Sequence, residues 1–461
     1  MSPNPIMITG VGVVSSIGIG RKAFFEGLLN KKSGICWLSE RTDDDAKPDV
    51  DNMEPKGIWV GGPILDFDAK EFVRPRKALK VMCREIQLSF AASMLAIDDA
   101  GLTDAFPAAE DGVITPDRVG TVFGGEMFFG PPQEMVDSIQ ACLAEGDQIN
   151  TSVFGMAAKK NLMPLWMLKY LPNMPACHVG ISVNAHGPNN SLVLGDVSGP
   201  AAIMESISCL QRGIADVILS GSIGNRLNTS RMTCRYDSPI PEVNGEVKWA
   251  SRPHDPDATG VVGGEAAVTL VLESSDHAKQ RGVKPLATIL SSASRFVASE
   301  AIQHGERSGE LNPPFHRGSS KAIRLAISGA LTQANRVAAD IGLVVSHAMG
   351  DPMMDSAERI ALSELEITAP LVAPIAALGH TGAASGGIAV ATGALALANG
   401  MIPPTVGVEP APQETSSESN SAPHRCGLRS TAEPLRSPLV LCLASTAEGS
   451  ATAILLGDSA R

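Results

Sequence analysis

The sequence predicts an α/β fold with mixed or parallel sheets, built as two similar halves, and three observations carry that reading. Short runs rich in Val, Ile and Leu alternate with helical stretches of ten or more residues. The runs recur in two series of roughly five, in similar order, with a joint near Lys248 to Gly260, which is the pattern of a duplication. Apolar residues make up 44% of the 461 and charged residues only 19%, so a large core is available and disorder of the whole is excluded. We therefore expect an N-terminal half over 1–255 and a C-terminal half over 256–461, each with a five-stranded mixed sheet packed with helices.

Met7-Ile-Thr-Gly-Val-Gly-Val-Val reads as the first strand. Its Gly10-Val-Gly12-Val-Val-Ser15 invites comparison with a dinucleotide fingerprint, but a serine replaces the third glycine and no acidic residue follows at the required distance. Arg76 to Ala100 has helical periodicity, and Arg118 to Gly125 is a second strand. The run that follows Pro200, up to Gly213, is an amphipathic helix, and strands follow at Ala215 to Gly221 and Gly263 to Glu273. The second series comprises Leu286 to Ser291, Ile341 to His347, Leu371 to Ala376, Leu439 to Ala444 and Ala451 to Leu456. Asp43 to Gly57 and Glu409 to Pro434 read as exposed loops.

Composition narrows function by exclusion. With 37 basic against 49 acidic residues the formal charge is −12, which argues against nucleic acid and against anionic lipid. The eight cysteines (36, 83, 142, 177, 209, 234, 426, 442) form no CxxC pair and read as reduced, mostly buried thiols. Met1 to Pro5 has neither a basic n-region nor an apolar h-region, so a cytoplasmic location is expected. Ile367 to Val408 lacks Asp, Glu, Lys and Arg, yet its prolines and its Ala/Gly-rich middle suit a buried core helix better than a membrane span. Phosphate-loop, HExxH and GxSxG motifs are absent, and no cofactor or resident metal is expected.

Three distant segments carry the chemistry. They are His186-Gly-Pro-Asn-Asn-Ser-Leu-Val-Leu-Gly-Asp196-Val-Ser198-Gly199-Pro200, then Val345-Ser-His347-Ala-Met349 with Pro352, Asp355 and Glu358 behind it, then Leu378-Gly-His380 with Gly386 after it. Two of them place a histidine just after a strand, where catalytic and satisfied structural histidines are about equally common. Together with Met7 to Gly18, Ala250-Ser-Arg-Pro-His-Asp, Gly260-Val-Val-Gly-Gly-Glu and Leu272 to Gly282, they make the chain resemble the β-ketoacyl-acyl carrier protein synthases, the condensing branch of the thiolase superfamily, over nearly its whole length. The resemblance implies the duplicated thiolase-like fold, usually dimeric, with His347 and His380 as the two catalytic histidines.

It also exposes departures. In the family a cysteine at the start of a buried helix, its pKa lowered by the helix dipole, accepts an acyl group. The resemblance puts Asp196 at that position, and Cys209, 13 residues later, reads as a core residue. The family's lysine five residues before the second histidine is Ile375, and its glutamate partner nine residues after that histidine is Ala389. Loss of both avoids a lone buried charge. The gating Gly-Phe-Gly-Gly-Thr-Asn loop corresponds to Ser445-Thr-Ala-Glu448-Gly-Ser, and Met349 replaces a threonine that binds the phosphopantetheine arm. Ser198, Gly199, Met349 and Ser445 are the expected pocket residues.

A carboxylate is a poor acyl acceptor, so ordinary condensation is not expected. Four roles stay open for Asp196. It can cap the following helix through backbone N–H groups, as in a chain-length-factor-like partner of an active synthase. It can stand beside histidines that retain decarboxylation, join His347 and His380 around a divalent metal, or pair with a histidine in acid/base work on another acyl substrate. The expected partners are an acyl carrier protein and a second synthase-like chain, as homodimer or heterodimer with an active synthase. Arg74, Arg76, Lys77 and Lys80, at the start of a helix, are the candidate carrier-docking residues, with a solvated helix face as the alternative.

Overall fold

The computed structural model describes residues 4–38, 56–143, 148–233, 238–243, 245–300, 317–409 and 427–458. Most of the two expected loops, together with Cys234 and Cys426, lies outside these residues, although Glu433–Pro434 pairs as a short strand with Met401–Ile402.

Ten strands form one continuous path of hydrogen-bonded neighbours. In chain order they are β1 (Ile6–Ser15), β2 (Val119–Gly124), β3 (Asn189–Leu192), β4 (Val217–Asn225), β5 (Gly263–Ser274), β6 (Ala287–Phe296), β7 (Leu343–Val345), β8 (Leu371–Val372), β9 (Leu439–Ser445) and β10 (Ser450–Gly457). The first five run β3-β2-β4-β5-β1 across the sheet, with β1/β5 and β5/β4 antiparallel and β4/β2 and β2/β3 parallel. The last five repeat that order and those senses as β8-β7-β9-β10-β6. Ile6 to Ile8 of β1 pair with Ala287 to Ile289 of β6 and join the two. β5 lies beyond the expected division at 255/256 yet pairs along β1 and β4, so by pairing the first repeat extends through Ser274.

The principal helices repeat as well. They are α1 (Arg84–Asp99), α2 (Met174–Val183) and α3 (Ser198–Gln211) in the first repeat, and α4 (Ser320–Ala334), α5 (Pro352–Glu364) and α6 (Ser385–Asn399) in the second. The single helix expected over Arg76 to Ala100 is broken: Arg76–Val81 is a 3-10 helix, Met82 and Cys83 are extended, and α1 begins at Arg84. The glycines of β1 serve α1, because a Cβ on Gly12 would stand 1.9 Å from the carbonyl oxygen of Ala92. This is close helix-to-strand packing rather than a nucleotide loop.

α3 and α6 meet at the centre through small residues. A Cβ on Gly386 would come within 2.5 Å of Pro200 Cδ, and one on Gly199 within 2.5 Å of Ser222 Oγ. The Gly382–Asn399 stretch is apolar enough by length and composition to cross a membrane, with mean hydropathy 1.2, but 83% of it is buried inside the protein. It is apolar all round because it is packed all round.

Candidate functional site

Asp196 and His347 follow strand ends, whereas His380 follows a short helical turn, Ile375–Leu378, that comes after β8. After β3 the chain turns through Gly195, whose φ of +64° suits glycine, and α3 starts at Ser198. The Ser198 hydroxyl donates to the Gly195 carbonyl at 2.6 Å and accepts from Leu194 N–H at 2.8 Å, fixing the turn that carries Asp196. His347 follows β7. His380 follows Gly379, and its backbone bridges to β5: His380 N donates to Val262 O at 2.8 Å and Gly264 N to His380 O at 2.9 Å.

The three side chains converge although they come from both repeats. His380 Nε2 lies 3.0 Å from Asp196 Oδ2, and Arg226 Nη2 lies 3.2 Å from Asp196 Oδ1. The His347 and His380 rings stand edge to face with centroids 6.0 Å apart. Asp196, His347 and His380 are only 8%, 2% and 3% exposed, so their mutual electrostatics are weakly screened. Burial opposes ionisation of Asp196, but His380, Arg226 and His347 outweigh it and hold the carboxyl well below the usual carboxylate range. An ionised Asp196 requires a proton on His380 Nε2 for their hydrogen bond.

His347 is set differently. Ser445 N–H points at its Nδ1 at 3.4 Å, so the neutral ring carries its proton on Nε2, which is buried and without a hydrogen-bond partner. Burial pushes this imidazole down, against the pull of Asp196, which keeps the neutral form. Two buried carboxylates of α5 hold its loop. Glu358 accepts the Ser346 hydroxyl and His347 N–H, the latter at 3.1 Å, and Asp355 accepts Met349 N–H at 2.8 Å and Gly350 N–H at 3.0 Å. His254 N–H also reaches Asp355 at 2.7 Å, while its ring Nε2 meets Ser346 Oγ at 2.9 Å.

A second buried network touches Asp196 from its other side. Arg226 Nη2 is 3.4 Å from Glu126 Oε2, which also takes Arg231 Nη2 at 3.1 Å, while Glu126 Oε1 accepts Asn225 N–H at 3.2 Å. Arg231 in turn lies over the Phe129 ring, 5.1 Å from its centroid. Sequence reasoning passed over Glu126, Arg226 and His254. The available signal was position: Glu126 follows β2 by two residues and Arg226 follows β4 directly, both strand ends facing the site.

The expected capping role for Asp196 is corrected. α3 has Val197 at its N-cap with no side-chain capping bond, and the Asp196 carboxylate goes to His380 and Arg226 instead. Of the expected pocket residues, Ser198 is spent on its turn, Gly199 is a helix-to-helix contact, and Ser445 reaches His347 through its backbone. Met349 packs in an apolar cluster with Val261, Met354 and Ile375, and Ala389 is buried in the main core. Cys209 is buried beside Glu205 and Arg212, and 13 residues along a helix put it about 20 Å from Asp196. Arg74, Arg76, Lys77 and Lys80 are all exposed, on the 3-10 turn and the residues before it rather than on the start of an α-helix.

A ligand atom from each of Asp196, His347 and His380 lies within 4.8 Å of the others, a spacing that admits a divalent ion. The donor set does not fit one. His347 Nε2 carries its proton because Nδ1 faces an N–H group, and Arg226 already holds one carboxylate oxygen. What the arrangement supplies is a buried Asp196–Arg226 ion pair, hydrogen-bonded to His380, beside the Nε2–H of His347, which has no partner among the described residues.

Two α/β repeats of matching strand order, with histidines of the second facing the central helix start of the first, define the thiolase-fold ketosynthase scaffold. The chain belongs to the β-ketoacyl synthase family: residues 3–278 match the family's N-terminal domain and residues 296–409 its C-terminal domain. It is 26% identical to 3-oxoacyl-[acyl-carrier-protein] synthase 2 of Vibrio cholerae, over 89% of this chain and 90% of that one. It is 27% identical to the tetracenomycin polyketide synthase ketoacyl synthase beta subunit of Streptomyces glaucescens, with the same coverage of 89% and 90%. Solved structures share the fold. The ishigamide ketosynthase/chain length factor matches with TM-score 0.74 at 22% identity over 99% of this chain and 100% of that one. A β-ketoacyl synthase of Burkholderia phymatum matches with TM-score 0.75 at 20% identity over 99% of each.

Proposed function

We propose that this chain is a non-condensing, chain-length-factor-like subunit of fatty-acid or polyketide synthesis that works beside an active β-ketoacyl synthase in the cytoplasm. One observation carries the reading: Asp196, which the family resemblance puts at the nucleophile position, is a carboxylate already engaged by His380 and Arg226. No thiolate can form there, and each carboxylate oxygen already accepts a hydrogen bond. Similarity to a ketoacyl synthase beta subunit supports the pairing, as does likeness in fold, at 19% identity, to a chain in the complex of a type II polyketide ketosynthase with its acyl-carrier protein. So does the surface. β3 pairs with β2 and ends the sheet, and exposed apolar side chains such as Met127, Ile149, Met156, Leu165, Met167 and Ile181 come from the stretch between β2 and β3. A face of that kind suits a second synthase-like chain. Arg74, Arg76, Lys77 and Lys80 supply local positive charge for an acidic carrier protein on an otherwise acidic chain.

The test is co-expression with a cysteine-bearing synthase. A stable heterodimer whose product lengths change with this subunit, and persist with Asp196→Ala, is the expected result. Failure of every such synthase to co-purify, with the chain active alone, refutes the reading. The unpartnered Nε2–H of His347 favours a second reading, decarboxylation of a malonyl thioester, because a donor there can stabilise an enolate oxygen. CO2 release from malonyl carrier protein that vanishes in His347→Ala establishes that reading.

A further inference from the structure

We infer that Arg226 and Glu126 determine acyl specificity at position 196: their ion-paired side chains line the space beside it and deny an alkyl chain apolar contact, so that affinity there does not rise with chain length. The inference rests on the proposed placement of residue 196 at the reaction centre.

An acyl group held at that position must lie against its side-chain neighbours. Arg226 and Glu126 side chains are 12% and 6% exposed, and both stand where an alkyl chain would need apolar walls. Behind them the loop after His380 closes in: a Cβ on Gly382 would meet Arg226 Nε at 2.7 Å and Glu126 Oε1 at 2.8 Å. Asp196, Arg226, Glu126 and Arg231 alternate in sign and sum to zero, so the group is self-compensated and does not call for an outside charge. An entering methylene chain must displace a guanidinium from two carboxylates and gains no desolvated apolar surface in return. In an apolar pocket each buried methylene raises affinity about fourfold, so roughly six methylenes separate acetyl from octanoyl by on the order of a thousandfold. The charged lining removes that gradient.

The experiment titrates the full chain calorimetrically with acetyl-, butyryl- and octanoyl-pantetheine, and repeats the series with Glu126→Ala/Arg226→Ala. Removing one cation and one anion together keeps the net charge of the group at zero. In the native chain octanoyl binds no more than about threefold better than acetyl, and in the double variant octanoyl gains at least about tenfold. Native affinity that climbs tenfold or more with chain length overturns the inference, whatever the variant does. So does a folded double variant that gains nothing. Should the alanine pair unfold, as circular dichroism would show, Glu126→Gln/Arg226→Met keeps the volume, and its octanoyl gain is read in the same way. Intact mass with peptide mapping after each titration separates the two claims: an acyl adduct on Asp196 refutes the non-condensing reading, and a chain-length gradient without that adduct refutes only the specificity assignment.

Discussion

Asp196→Asn isolates the charge at the centre of the site while keeping its shape. The carboxylate receives two charge-assisted hydrogen bonds, from His380 Nε2 at 3.0 Å and Arg226 Nη2 at 3.2 Å. A charged bond contributes roughly 1.5–3 kcal/mol and a neutral one roughly 0.5–1.5. Two bonds weakened together, with Arg226 still held by Glu126, give an expected loss of about 2 kcal/mol at neutral pH. The pH dependence is the sharper test. Because the folded state holds Asp196 well below its ordinary value, its contribution is full above the unfolded pKa and is lost as pH falls toward the folded one. With an unfolded aspartate near 3.9, about 1 kcal/mol of the wild-type advantage is gone by pH 3. Guanidinium unfolding of both proteins at pH 7 and pH 3, at one protein concentration, measures the difference and cancels the other carboxylates. An asparagine variant as stable as wild type at pH 7, or a gap that does not shrink in acid, refutes the ion-pair description.

Other perturbations test the surroundings. Asp355, raised to about 6 mainly by burial, has the opposite sign: its folded state prefers the proton, so stability falls as pH rises from about 4 to 6. Asp355→Asn should gain on wild type by about 2–3 kcal/mol across that window in denaturant titrations, and parallel curves contradict the assignment. Gly224→Ala places a Cβ 1.9 Å from the Thr381 carbonyl oxygen, so its melting temperature should drop sharply, by the equivalent of about 3 kcal/mol. Gly155→Ala, with nothing within 4 Å, should stay within about 0.5 kcal/mol. If the exposed basic turn docks a carrier, Arg74→Glu/Lys77→Glu weakens carrier binding about tenfold at low ionic strength and far less at high salt; equal weakening at both points to a structural defect.

Strand–helix alternation made the fold legible, and the repeat was visible because nine of the ten strands carry apolar runs. The missing one, β3, reads Asn-Asn-Ser-Leu and is a strand only because β2 offers it a parallel edge. Asp196, His347 and His380 were found through motifs, but the fate of the Asp196 carboxylate was not. Its partner Arg226 lies 30 residues away, and Glu126 precedes Asp196 by 70, among apolar and glycine residues that give no hint of a buried ion pair. The break after Val81 was hidden for a local reason. Met82 and Cys83 fit the helical hydrophobic period, yet both adopt extended backbone so that α1 can enter against β1 from a fresh start.

The matched strand order has a consequence for how this site was assembled and how it can change. Along the two repeats Glu126 stands two residues after β2 as His347 stands two after β7, while Asp196 lies two residues before α3 and His380 five before α6. The centre is thus an interface between two repeats of the same strand order, covalently tethered, in which one repeat presents charge and the other presents imidazoles. Such an internal heterodimer lets each side drift separately. A substitution in the first copy converts the electrostatics of the whole centre while the second copy's strands, loops and histidines remain in register to receive whatever the first comes to offer.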